Sequence, residues 1–177
     1  MYITMITIET QYCNPLSQDF YDKTISSVDL NRITCTCGHA GSLIWYGSYL
    51  RKVRLPDRII TLRAARVFCK SCGHTHAILL SSIVPYSQIP LPVQTAAARC
   101  YEMKKGYAQL LAAWLSIDEN TISSIIRSYR LHWRERLKSA SLPLQPLPDL
   151  VRGCFASFSR SFMQIKTTRN KLFPLPT

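Results

Sequence analysis

Two short cysteine clusters constrain this chain more than any other feature. The first reads Cys35-Thr36-Cys37-Gly38-His39, and the second Cys69-Lys70-Ser71-Cys72-Gly73-His74-Thr75-His76. Thirty-one residues separate Cys37 from Cys69. A tetrahedral zinc site asks for two such pairs, because each tight turn aims two thiolates at one ion and a glycine lets the backbone curl. Zn2+ is therefore the expected cofactor, with Cys35, Cys37, Cys69 and Cys72 as candidate ligands. The first pair is one residue short of the usual Cys-x-x-Cys gap, with Thr34 standing where a first cysteine is customary. The fourth ligand is thus open: Cys35 through a distorted knuckle, or His39 in its place, with His74 and His76 in reserve. A disulfide framework and a chance cluster of buried thiols are the competing explanations. Met1 to Thr10 carries no basic leader and no long apolar core, so nothing suggests secretion. A cytoplasmic chain with seven cysteines favours metal over disulfides.

Charge supplies the second constraint. The 177 residues carry a net charge of +12, and 47% of them are hydrophobic. That is apolar enough for real cores, and the basic excess points to a polyanion, nucleic acid before membrane. No apolar run reaches membrane length. Residues 51 to 70 hold Arg51, Lys52, Arg54, Arg58, Arg63, Arg66 and Lys70 against Asp57 alone, half of the net charge. Basic side chains on a metal-pinned hairpin make a rigid phosphate-binding face; a solvated strand edge is the plainer alternative.

The expected fold class is α+β: a small N-terminal β zinc ribbon followed by an all-α helix-turn-helix bundle. The expected divisions are a β-rich segment over 1–30, the ribbon over 31–88, the helix-turn-helix over 92–140, and a Pro-rich linker with a basic C-terminal helix or tail over 141–177. Tyr2 to Ile8 alternates as a strand does, and Leu55-Pro56-Asp57-Arg58 is a turn signal. Cys13 is isolated and reads as a plain thiol. Pro90 and Pro92 bracket a stiff linker.

Beyond that linker the apolar spacing becomes helical. Val93, Ala96, Ala97, Cys100 and Tyr101 mark a first helix, which Gly106 ends. Tyr107, Leu110, Leu111, Trp114 and Leu115 mark a second, and Asp118 is a good N-cap for a third built on Ile122, Ile125, Ile126 and Tyr129. The exposed face of that third helix would carry Glu119, Asn120, Thr121, Ser123, Ser124, Arg127 and Ser128, suited to base edges and phosphates. Arg130, Arg134, Arg136 and Lys138 follow as phosphate contacts, and the third helix is expected to run on through Trp133 to Leu137. An ordinary three-helix bundle with a polar exterior is the alternative. Further on, Cys154, Phe155, Phe158, Phe162 and Ile165 fall on one helical stripe.

A resemblance can be drawn from Gly47-Ser48-Tyr49-Leu50-Arg51-Lys52-Val53-Arg54, the basic second strand, the run from Cys69 to His76, and Ile83-Val84-Pro85-Tyr86. Together these resemble a bacterial family of zinc-ribbon and helix-turn-helix proteins. Its members look like the N-terminal, DNA-binding parts of insertion-sequence transposases. The likeness covers residues 33 to 130 and departs from the family pattern at Thr34. It implies DNA binding linked to mobile elements.

Transposase chemistry needs about three carboxylates around two divalent metals. The ten acids here are scattered, and only Asp149 follows Glu135. No Gly-rich phosphate loop appears, so the chain is not expected to be an enzyme. Two functions remain. One is sequence-specific binding of double-stranded DNA, transposase-like or regulating a mobile element, with a homodimer or transposase as candidate partner and no membrane. The other is a non-catalytic zinc-ribbon adaptor that recruits a transposase or another protein.

Overall fold

In a computed structural model, residues 4–8, 10, 16–35, 37–84, 86–132 and 134 are described. Cys13, the extension of the third helix through Leu137, Arg136, Lys138, the Pro-rich linker and the Phe stripe of the C-terminal segment lie outside them. The chain forms two units. The first comprises Met1–Val53 with Ile60–Ile83, and the second Arg54–Ile59 with Val84–Thr177.

The first unit is organised on a four-stranded mixed sheet of order β1-β4-β3-β2. Its strands are β1 (Thr4–Ile8), β2 (Leu43–Arg54), β3 (Ile59–Cys69) and β4 (Thr75–Leu80). β1 runs parallel to β4, from Thr4 beside His76 to Ile8 beside Leu80. β3 runs antiparallel to β4 through Arg66–Ala77, Val67–His76 and Phe68–Thr75. This corrects the expected fold class: there is no free-standing N-terminal ribbon followed by an all-α bundle. The sheet is central, β1 is built into it, and the second unit takes in residues 54–59 besides its helices. β4 gives the physical reason. All six of its residues are buried, and a bare two- or three-stranded ribbon leaves such a strand open to water. β1 covers its free edge, and helix α1 (Gln18–Ser26) supplies apolar cover.

α1 begins at Ser17, whose hydroxyl accepts the Phe20 N–H at 3.1 Å, a standard N-cap. Tyr21 and Ile25, one turn apart, are its buried residues. The helix also completes the sheet where β3 leaves β4. Gln18 Oε1 accepts the Arg63 N–H at 2.7 Å, and the Tyr21 hydroxyl accepts the Ala65 N–H at 2.8 Å. That hydroxyl donates in turn to the Ile78 carbonyl at 2.8 Å. Burial pushes the Tyr21 phenol up to about 12. Tyr21→Phe deprives both backbone groups of a partner with little change of volume. It should cost about 1–3 kcal/mol in urea denaturation, and an unchanged midpoint would mean that water takes over both bonds.

The second unit contains α2 (Leu91–Glu102), α3 (Ala108–Ala113) and α4 (Glu119–His132) around Leu91, Val93, Ala97, Ala98, Ile117, Ile122, Ile125 and Tyr129. Pro90 is the N-cap of α2 and Pro92 lies in its first turn, not in a linker. Proline is tolerated there because those N–H groups have no helical partner. α2 ends at Glu102 with Met103 as C-cap and Lys104 at φ 53°, so the helix stops before Gly106. Among the described residues no helix is long and apolar enough to cross a membrane.

Candidate metal centre

The four thiol sulfurs of Cys35, Cys37, Cys69 and Cys72 all lie within 4.8 Å of one another, a group that can hold a metal ion. Two matched loops bring them there. In the first, the Cys35 N–H donates to the His39 carbonyl at 2.9 Å and the Gly38 N–H to the Cys35 carbonyl at 2.8 Å. In the second, the Cys69 N–H donates to the His74 carbonyl at 2.9 Å and the Gly73 N–H to the Cys69 carbonyl at 2.9 Å. Gly38 at φ 90° and Gly73 at φ 70° make the two reversals, a backbone region closed to most side chains. The first loop closes one residue sooner. Cys35 therefore occupies the place that Cys69 holds in the second loop, and Thr34 is spent on a bridge to Ala40.

The spacing fits a tetrahedral cation. Zn–S bonds of about 2.3 Å put the sulfurs of a tetrahedron about 3.8 Å apart. Cys35 and Cys72 sulfurs are 3.7 Å apart, and those of Cys37 and Cys69 are 3.8 Å apart. All four are free thiols. Cys35 and Cys69 are buried, Cys72 is half-buried and Cys37 is exposed.

Electrostatics differ from thiol to thiol. Burial pushes Cys35 up to about 12, whereas a hydrogen bond with the Ser42 hydroxyl, 3.2 Å away, holds Cys69 down near 5. Hydrogen bonding with His39 lowers Cys37. The reserve ligands sit outside the four sulfurs. His39 Nδ1 is 3.5 Å from the Cys37 sulfur, and His74 is exposed. His76 is wholly buried, with Nε2 3.2 Å from the Cys35 sulfur. Its burial holds the imidazole below its ordinary value. It is placed to support a ligand rather than to be one.

The expected phosphate and base contacts divide between the units. In the first, Lys52 and Arg63 are exposed, Arg51 is half-buried, and Arg66 lies 4.9 Å over the Tyr49 ring. In the second, Arg54 donates to the Ser116 carbonyl. Along α4, Asn120, Ser123, Ser124, Arg127 and Arg130 are exposed, with Thr121 half-buried. Arg130 lies 5.9 Å over Tyr101. Arg134 is engaged by Glu102, at 2.6 Å from Nε. Asp118 caps α4 as expected, its carboxylate accepting the Thr121 N–H at 2.7 Å, and hydrogen bonding with the Thr121 side chain, then with that N–H, holds its titration low. A cleft of about 970 Å³ borders α4, lined by Leu111, Ser123, Ile126, Arg127 and Arg130 among others.

Compared with known proteins, the chain matches no protein-family model, no curated protein and no solved structure.

Proposed function

We propose that this is a non-catalytic, sequence-specific binder of double-stranded DNA acting in the cytoplasm, in which zinc held by four thiolates stiffens the sheet and α4 reads a major groove. The observation that carries the reading is the two-sidedness of α4. Ile122, Ile125 and Tyr129 are buried, while Asn120, Ser123, Ser124 and Arg127 are exposed. An apolar face anchors the helix and leaves a polar face to a ligand. Asparagine and arginine are the side chains that pair bidentately with adenine and guanine edges. α3, the turn over 114–118 and α4 follow one another as in a helix-turn-helix reader. A net charge of +12 supplies the long-range attraction. A shell of four thiolates leaves no open coordination position, so in this reading the metal is structural. The sequence likeness to transposase DNA-binding parts agrees with the same role.

Gel shifts on a selected duplex test the reading. Arg127→Ala should weaken binding by about 1–3 kcal/mol, roughly five- to 150-fold. Asn120→Ala should flatten the preference between cognate and scrambled duplexes. If both variants behave as the parent protein does, α4 is not the reader.

A further inference from the structure

β2 is twelve residues long and lies at the edge of the sheet. Edge strands are ordinarily short, charged or covered. Side chains alternate along a strand, so Ile44 at 40% and Tyr46 at 59% share one exposed face, and Trp45 at 48% points to the other. Contiguous apolar exposure marks a surface that meets something. The rings here are also arranged. Tyr46 and Phe68 sit with centroids 5.6 Å apart, and Arg66 caps Tyr49 at 4.9 Å.

Cations lie on the same two strands. Within residues 43–53 and 60–69 there are Arg51, Lys52, Arg63 and Arg66, and no aspartate or glutamate. Exposed rings on strands that also carry cations and no carboxylate match one ligand chemistry closely: bases with free π-faces on a phosphate chain. A duplex keeps its base faces inside its own stack and offers these rings nothing. An acidic peptide would satisfy the cations but leave the rings idle. We propose that the exposed aromatic and basic surface of β2 and β3 binds single-stranded nucleic acid, with Tyr46, beside Phe68, stacking on an unpaired base and Lys52 and Arg63 holding the phosphates. This site lies wholly in the first unit, uses no residue of α4, and goes beyond duplex reading.

The test is binding of fluorescein-labelled oligo(dT) to the full zinc-loaded chain across a salt series. Tyr46→Ala should lose at least roughly ten-fold in affinity at every salt concentration. The ring-retaining Tyr46→Phe should keep binding, as should Trp45→Ala on the opposite face, and the thermal melts of all three variants should match the parent. Lys52→Ala with Arg63→Ala should instead flatten the salt slope by about 0.7 for each phosphate contact removed. Duplex binding should survive the ring truncation and fall with Arg127→Ala, so the two sites fail separately. Unchanged oligo(dT) binding in Tyr46→Ala overturns the proposal, as does a parent protein that does not bind oligo(dT). It is equally overturned if ring truncation alters only self-association in sedimentation, which would make β2 a protein-docking edge.

Discussion

Purified in reductant, Cys69→Ser is expected to carry no stoichiometric zinc and to lose roughly 4 kcal/mol or more of stability in the sheet unit. Cys69 closes β3, is 0% exposed, and accompanies three other thiols within 4.8 Å. A serine there offers a poor ligand to a soft site and leaves three sulfurs to share a dication's charge. Isolated zinc modules draw about 10–16 kcal/mol from their metal. The loss here should be smaller, because Leu62, Val67, Ile78 and Leu79 keep a core of their own. Metal analysis and chelator-dependent melting check the expectation. Cys100→Ser serves as control, being a half-buried thiol outside the cluster. Full zinc content in Cys69→Ser, with an unshifted melt, would show that the sulfurs gather for packing alone.

Glu102→Ala should destabilise the helical unit by about 3 kcal/mol, the scale for removing one partner of a buried ion pair. The Glu102 side chain is 4% exposed and ends α2. It accepts the Tyr129 hydroxyl at 2.9 Å and the Arg134 guanidinium at 2.6 and 3.3 Å. The carboxylate hydrogen bond holds the Arg134 guanidinium above its ordinary range. Glu102→Gln keeps an acceptor for Tyr129 but loses the charge, so it should fall between parent and alanine variant. Urea denaturation checks both. A loss under about 1 kcal/mol in Glu102→Ala would place this pair with ordinary surface ion pairs.

The four-thiol cluster was legible because cysteine spacing is a local property. Cys-x-x-Cys with a following glycine announces its own turn, and the shortened first loop obscured only which group came fourth. The structure gathers the Cys35 sulfur, and no imidazole, with the other three thiols, and no count of residues reveals it. α4 was legible for the same reason, since its cap at Asp118 and its apolar spacing are written within one stretch. α1 escaped notice, although Ser17 followed by Tyr21 and Ile25 is a helix signal. The alternating residues of β1 drew that whole segment toward strand. The sheet itself was the least legible element. Parallel pairing of β1 with β4 joins residues about seventy positions apart, and periodicity carries no information on partners at that range. The exposure of Tyr46 likewise follows from the place of β2 at the sheet edge, which local spacing does not encode.

Sequencing of duplexes retained by the zinc-loaded protein from a random pool, at fixed salt, tests the DNA-reading claim most directly. One enriched motif is expected, with information content that drops with Asn120→Ala and Arg127→Ala. A pool that stays random after repeated rounds, in protein shown to hold its metal, would contradict it.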